Sequence, residues 1–213
     1  MKTDDLMRML ATGAAPVSSA AVASRFARGL GCGLLGAILV MVLVFGVRND
    51  IAQAASLPMF WAKVLVPAVA VLAAVPLTMR LSRPGRTSGP APLVLAGLLL
   101  FAWSSAAAVL LDAPAAGRAE LIFGATWKTC TFNITLLALP LLGAAFWVIK
   151  GLAPTRPVCA GASAGLLAGA AAASVYALHC PEMAAPFLGI WYVLGIAVST
   201  ALGALLGFRL LRW

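Results

Sequence analysis

The sequence predicts an all-α, polytopic membrane bundle of six transmembrane helices with a short cytoplasmic N-terminal tail. Three observations carry that reading. Apolar residues make up 63% of the chain and charged residues only 10%, against about 45–50% and about 25% in an ordinary soluble domain. Six apolar runs follow one another, at residues 29–47, 60–79, 91–111, 131–149, 158–178 and 187–208. Each is close to the roughly 20 residues that a spanning helix needs. Finally, the basic residues gather at alternate ends of these runs.

The runs are built from Leu, Ala, Val and Gly and lack the period-2 alternation of a barrel strand. A helix satisfies its own backbone in lipid, whereas an open sheet does not. The second run is the weakest: Lys63 lies near its start, where its stem can snorkel to the headgroups, and Pro67 and Pro76 bend it. The first run resembles a signal peptide only superficially. Its apolar core exceeds 7–15 residues, and Arg48, Asn49 and Asp50 precede the small-residue site at 52–54, so retention is expected.

A net charge of +9 suggests nucleic acid in a soluble protein, but here the positive-inside rule explains it more simply. Lys2, Arg8, Arg25 and Arg28 share a side with Arg80, Arg83 and Arg86, with Lys150 and Arg156, and with Arg209 and Arg212. The alternate loops hold only Arg48 and Lys63, then Arg118 and Lys128. Both termini therefore fall in the cytoplasm. Residues 1–24 form the tail and 25–213 the membrane domain. The 80–92 segment reads as a flexible link, and 112–129 is the longest external loop.

Small residues recur four apart at Gly29 and Gly33, at Gly161, Gly165 and Gly169, and at Gly203 and Gly207. That spacing lets helices approach closely, for a dimer face or, more simply, for packing within the bundle. The tail reads as a short amphipathic helix. Asp4 and Asp5 suit its positive end, while Leu6, Met9 and Leu10 make one apolar face. A surface-bound helix usually has a basic polar face, so this acidic one points instead to the groove of a cytoplasmic partner.

Cys32 and Cys159, at cytoplasmic span ends, read as packing residues. Cys130 and Cys180 lie together on the outer side, in Trp127-Lys128-Thr129-Cys130 and His179-Cys180-Pro181-Glu182. Three readings of this pair stay open: a structural disulfide, a labile thiol pair that senses oxidants or binds soft metal ions, and two unrelated buried cysteines. His179 and Glu182 are candidate auxiliary ligands. No C-x-x-C, H-E-x-x-H, G-x-S-x-G or P-loop pattern occurs, and no acidic group lies mid-span. The chain therefore reads as neither an enzyme nor a cofactor protein. A small permease or export component with structural cysteines is the runner-up, and a membrane thiol oxidoreductase the third reading.

Taken together, the Asp4-Asp5-Leu6-Met7-Arg8-Met9-Leu10 tail, the six spans, both cysteine motifs, and Phe187 with Trp191-Tyr192 resemble the NrsF family over essentially the whole chain. These are negative regulators of an extracytoplasmic-function sigma factor in proteobacteria. The resemblance implies an inner-membrane anti-sigma factor that holds its sigma factor inactive. It also implies that Cys130 and Cys180 perceive the signal, with heavy metals or oxidative stress as the signal class. A soluble zinc-binding anti-sigma domain with a His-x3-Cys-x2-Cys pattern is absent. The expected partners are the sigma factor, the lipid bilayer and a heavy-metal ion as signal. DNA is left to the sigma factor.

Overall fold

The computed structural model describes residues 3–12 and 19–212. Among them there are helices and turns but no strand. In chain order the helices are α1 (Thr3–Thr12), α2 (Ser19–Val40), α3 (Ile51–Ala54), α4 (Pro58–Leu81), α5 (Ala91–Asp112), α6 (Arg118–Phe123), α7 (Trp127–Lys150), α8 (Pro157–Tyr176), α9 (Ala185–Phe187) and α10 (Val193–Leu210). Six helical stretches are long and apolar enough to cross a membrane, and they coincide with the six runs read from hydropathy. Helix α4 continues through Pro67 and Pro76, and α7 through Pro140.

The hub is α8. Ala, Gly and Ser make up most of it, and it is the most buried of the six spans, α5 being the least. In lipid no hydrophobic force drives helices together, so contact depends on how closely backbones approach. Here a Cβ at Gly161 would land on the Gly203 carbonyl oxygen, and one at Gly165 on that of Ser199. The helix-spaced glycines of α8 and α10 thus serve packing inside the bundle. Gly29 and Gly33 do the same for α2, against Val148, Leu141 and Ala144 of α7.

Three features depart from the sequence reading. Helix α2 begins at Ser19, ten residues before its apolar run, because Val22 and Phe26 are buried and Arg25 stacks on Trp147 at 5.0 Å. The loops after the first and third spans contain the short helices α3 and α6. Cys32 and Cys159 are exposed on the bundle surface rather than packed inside, since their helices turn glycine and alanine faces inward.

The α8–α10 contact gives a test. Gly165→Leu forces a side chain into the Ser199 and Thr200 backbone, and overpacking of this kind costs about 1–3 kcal/mol. Thermal unfolding in detergent is expected to show a clear loss of stability for Gly165→Leu. Gly31→Leu, with nothing within 4 Å of its Cβ, is expected to unfold like the parent.

Candidate functional site

Cys130 and Cys180 meet at one end of the bundle because α7 begins where α8 ends. The Cys130 amide closes the first turn of α7 onto Thr126 at 3.0 Å, and the Cys180 amide follows α8 by donating to Tyr176 at 3.0 Å. Both residues are completely buried and belong to one core cluster with Ile134, Tyr176 and Tyr192. Both are free thiols.

A cationic clasp holds the Cys180 loop in place. Lys63 is 2% exposed, and its Nζ donates to the Cys180 carbonyl at 2.6 Å and to that of Glu182 at 2.7 Å. The expected snorkelling is therefore reversed: this lysine points into the bundle. An ionisable group at membrane depth is most cheaply placed where protein dipoles can solvate it, and the loop after α8 supplies two such carbonyls. Arg48 adds a second tie. Its Nη1 donates to the Cys180 carbonyl at 3.3 Å and its amide to Leu178 at 3.2 Å. Two further bonds of 2.6 Å join its guanidinium to the Asp50 carboxylate. Through them Arg48 holds that carboxyl below its ordinary range.

The sequence reading missed both cations as site residues. One signal was present for Lys63: Phe60 and Trp61 mark an interfacial aromatic belt before it, so the lysine lies deeper than the belt.

His179 and Glu182 reach backbone groups of neighbouring elements. His179 Nδ1 lies 2.9 Å from the Gly46 carbonyl, with its ring between Phe45 and Tyr176. Glu182 accepts from the Ala125 amide at 2.8 Å and the Thr126 hydroxyl at 3.4 Å, which binds the loop to the start of α7. Gly124 makes this possible. Its φ is +51°, and a Cβ there would lie 2.6 Å from the Glu182 carboxyl carbon. Among the described residues no three His, Cys, Asp or Glu side chains are grouped to hold a metal ion. Trp127, Trp191 and Phe123 stack beside this end, and Trp191 Nε1 donates to the Ile122 carbonyl at 2.8 Å.

A π-helical turn, Leu188–Tyr192, brings Tyr192 under the clasp, a distortion common at functional sites.

At the opposite end the α4–α5 and α7–α8 loops face each other. Arg83, Arg86 and Arg156, with Ser88 and Thr155, surround a cavity of about 400 Å³. The tail helix α1 carries Asp4 and Asp5 in its first turn, and Leu6 and Met9 are exposed at 44% and 68%. The side chain of Leu10 lies outside the described residues.

Fold and site define a six-span helical membrane protein with a buried thiol pair at one end and paired basic loops at the other. The family model described as NrsF, negative regulator of sigma F, matches residues 10–213, and the chain belongs to that family. A probable anti-sigma-F factor NrsF of Azospira oryzae is 46% identical over 213 residues, covering all of both chains. The anti-sigma-F factor NrsF of Caulobacter vibrioides is 36% identical over 216 residues, again covering both chains completely. No solved structure matches.

The clasp makes an accessible prediction. A hydrogen bond from a charged group contributes about 1.5–3 kcal/mol, and about 1.4 kcal/mol is a factor of ten in an equilibrium. Lys63→Gln is therefore expected to raise the rate at which a membrane-permeant maleimide labels Cys180 at least tenfold, because labelling of a buried thiol follows its open population. Arg86→Gln, at the far end, is expected to leave that rate unchanged.

Proposed function

We propose that this protein is a membrane-embedded anti-sigma factor that sequesters a sigma factor of the extracytoplasmic-function class at the bacterial inner membrane. Its family membership along nearly the whole chain carries the proposal. The positive-inside pattern supports cytoplasmic termini, with the clasp facing the envelope. In that orientation α1 and the Arg83, Arg86 and Arg156 loops share the side on which a sigma factor is found. The partner docks on Leu6, Met9 and Leu10, with Asp4 and Asp5 addressing its basic surface.

The signal acts at Cys130 and Cys180. A soft divalent metal ion ligates both as thiolates and releases two protons, or an oxidant accepts two electrons and two protons as the sulfurs join. Each outcome draws the start of α7 toward the loop after α8. The connection between those helices at the other end carries Arg156 beside Arg83 and Arg86, so a change in their relation reaches the cytoplasmic loops. His179 and Glu182 assist by holding the sulfur-bearing segments, and they are candidate auxiliary ligands once the clasp opens.

The signal must bind the released state more tightly than the bound one. Moving from 1:99 to 99:1 takes about 5.5 kcal/mol of differential affinity, which metal–thiolate bonds can supply. Burial of both thiols makes the resting state insensitive until the clasp loosens. Promoter DNA is contacted by the sigma factor alone.

In cells, Cys130→Ser and Cys180→Ser are expected to abolish induction of the sigma regulon by metal and oxidant while leaving repression intact. Normal induction in both variants would remove the cysteines from sensing. Deleting residues 2–10 is expected to release the sigma factor constitutively, measured by co-purification in detergent. Continued retention would place the binding surface elsewhere.

A further inference from the structure

The α4–α5 and α7–α8 loops are distant in sequence, yet both line the cavity of about 400 Å³ at the arginine end of the bundle. They meet because α4 and α8, to which they attach, pack against each other. Arg83, Arg86, Thr87 and Ser88 come from one loop, Thr155 and Arg156 from the other. The volume falls within the roughly 300–1,000 Å³ typical of small-molecule sites.

The positive-inside rule accounts for arginines at this end, but not for three of them converging on one concavity. Other arginines here are spent within the chain. Arg25 donates to the Trp147 carbonyl at 3.1 Å and stacks on that ring, and Arg28 reaches the Ser24 carbonyl at 3.4 Å. Arg212 lies 3.7 Å from the centre of the Phe208 ring, and Arg80 packs over Gly89. Arg83, Arg86 and Arg156 differ. Among the described residues their guanidinium groups have no hydrogen bond, ion pair or aromatic ring, and the ion pair formed, Arg48 with Asp50, is at the opposite end. The Thr87, Ser88 and Thr155 hydroxyls are equally free of partners there. Helix α8 starts beside Arg156, at Pro157, without a side-chain cap. Its first-turn amides at Val158 and Cys159 have no intrahelical acceptor, and its positive end adds to the local field. Like charges gathered at a concave surface repel one another and draw in an anion.

We propose that this cavity binds a phosphate group, carried by the headgroup of an anionic lipid or by a soluble phosphate. A guanidinium fork matches phosphate oxygens two at a time. Three forks and three hydroxyl donors suit a tetrahedral oxyanion better than a carboxylate, which has only two oxygens. Among the described residues no aromatic side chain lines the cavity to stack on a base, so the phosphate, not a nucleobase, is the recognised part. Held by both loops, it ties the α7–α8 connection to the end of α4.

The test is calorimetric titration of the full chain, delipidated in a neutral maltoside detergent. The probes are dioctanoyl phosphatidylglycerol, inorganic phosphate, dioctanoylglycerol and succinate. Saturable binding of phosphatidylglycerol, of inorganic phosphate or of both is expected. Tighter binding of phosphatidylglycerol identifies a lipid headgroup as the source, and binding of inorganic phosphate that is as tight or tighter identifies a soluble one. Arg86→Gln and Arg156→Gln are each expected to weaken the preferred probe at least about tenfold, the ordinary worth of a charge-assisted hydrogen bond. Arg28→Gln removes the same charge at the same end but outside the cavity, and is expected to change nothing. All three side chains are exposed, so the variants are expected to fold. Saturation by neither phosphate probe, succinate binding as well as inorganic phosphate, dioctanoylglycerol binding as well as phosphatidylglycerol, or equal weakening by Arg28→Gln would each overturn the proposal. The assay contains no sigma factor, so its outcome is independent of the anti-sigma reading.

Discussion

Backbone-to-backbone contact at α8 is the constraint on which the rest of this molecule depends. A helix of glycine, alanine and serine has little apolar surface to bury, and in a bilayer burial contributes little to association anyway. What it offers is proximity. Gly161 and Gly165 admit the α10 backbone, and the other faces of α8 meet α4 and α7. Because α7 and α8 are consecutive and antiparallel, their close packing leaves the first turn of one beside the last turn of the other. Cys130 and Cys180 are neighbours for that reason.

The polar chemistry is laid over this frame and confined to its ends. At one end, neutral carbonyls from an irregular loop solvate Lys63 and receive Arg48, while Glu182 secures the same loop to α7. Non-helical backbone at membrane depth is tolerated where protein groups satisfy it, and these three side chains do so here. The loop is therefore held by a few charge-assisted hydrogen bonds in addition to the packing of Cys180 in the core. The proposed signal acts by releasing these bonds. At the other end the arginines gather around an open cavity. The rigid α7–α8 pair joins the two.

Hydropathy alone was enough to place the six spans, because each must present about 20 apolar residues whatever its neighbours are. Glycine spacing likewise revealed faces of close approach, though not which helix lay opposite. The two cysteine motifs could be placed at one end by counting spans. Other features were out of reach. A lysine one turn inside a span can run outward to headgroups or inward to carbonyls, and only the position of the Cys180–Glu182 loop decides. Arg48 looked like an ordinary flanking charge until Leu178 and Cys180 were seen above it. Helix α5 is as apolar as the others yet stands at the periphery, since its small residues meet few partners. The short helices α3 and α6 depend on tertiary anchors such as Glu182 against Gly124, which no local pattern announces.

In the proposed mechanism, chemistry at the two buried sulfurs reaches the sigma factor through α7 and α8. The most direct measurement is release of labelled sigma factor from the purified complex in nanodiscs, followed by fluorescence anisotropy as cadmium or diamide is added. Release from the parent complex, with none from the Cys130→Ser complex, is the expected result. Release that is equal in both, or absent from the parent, would rule out this route.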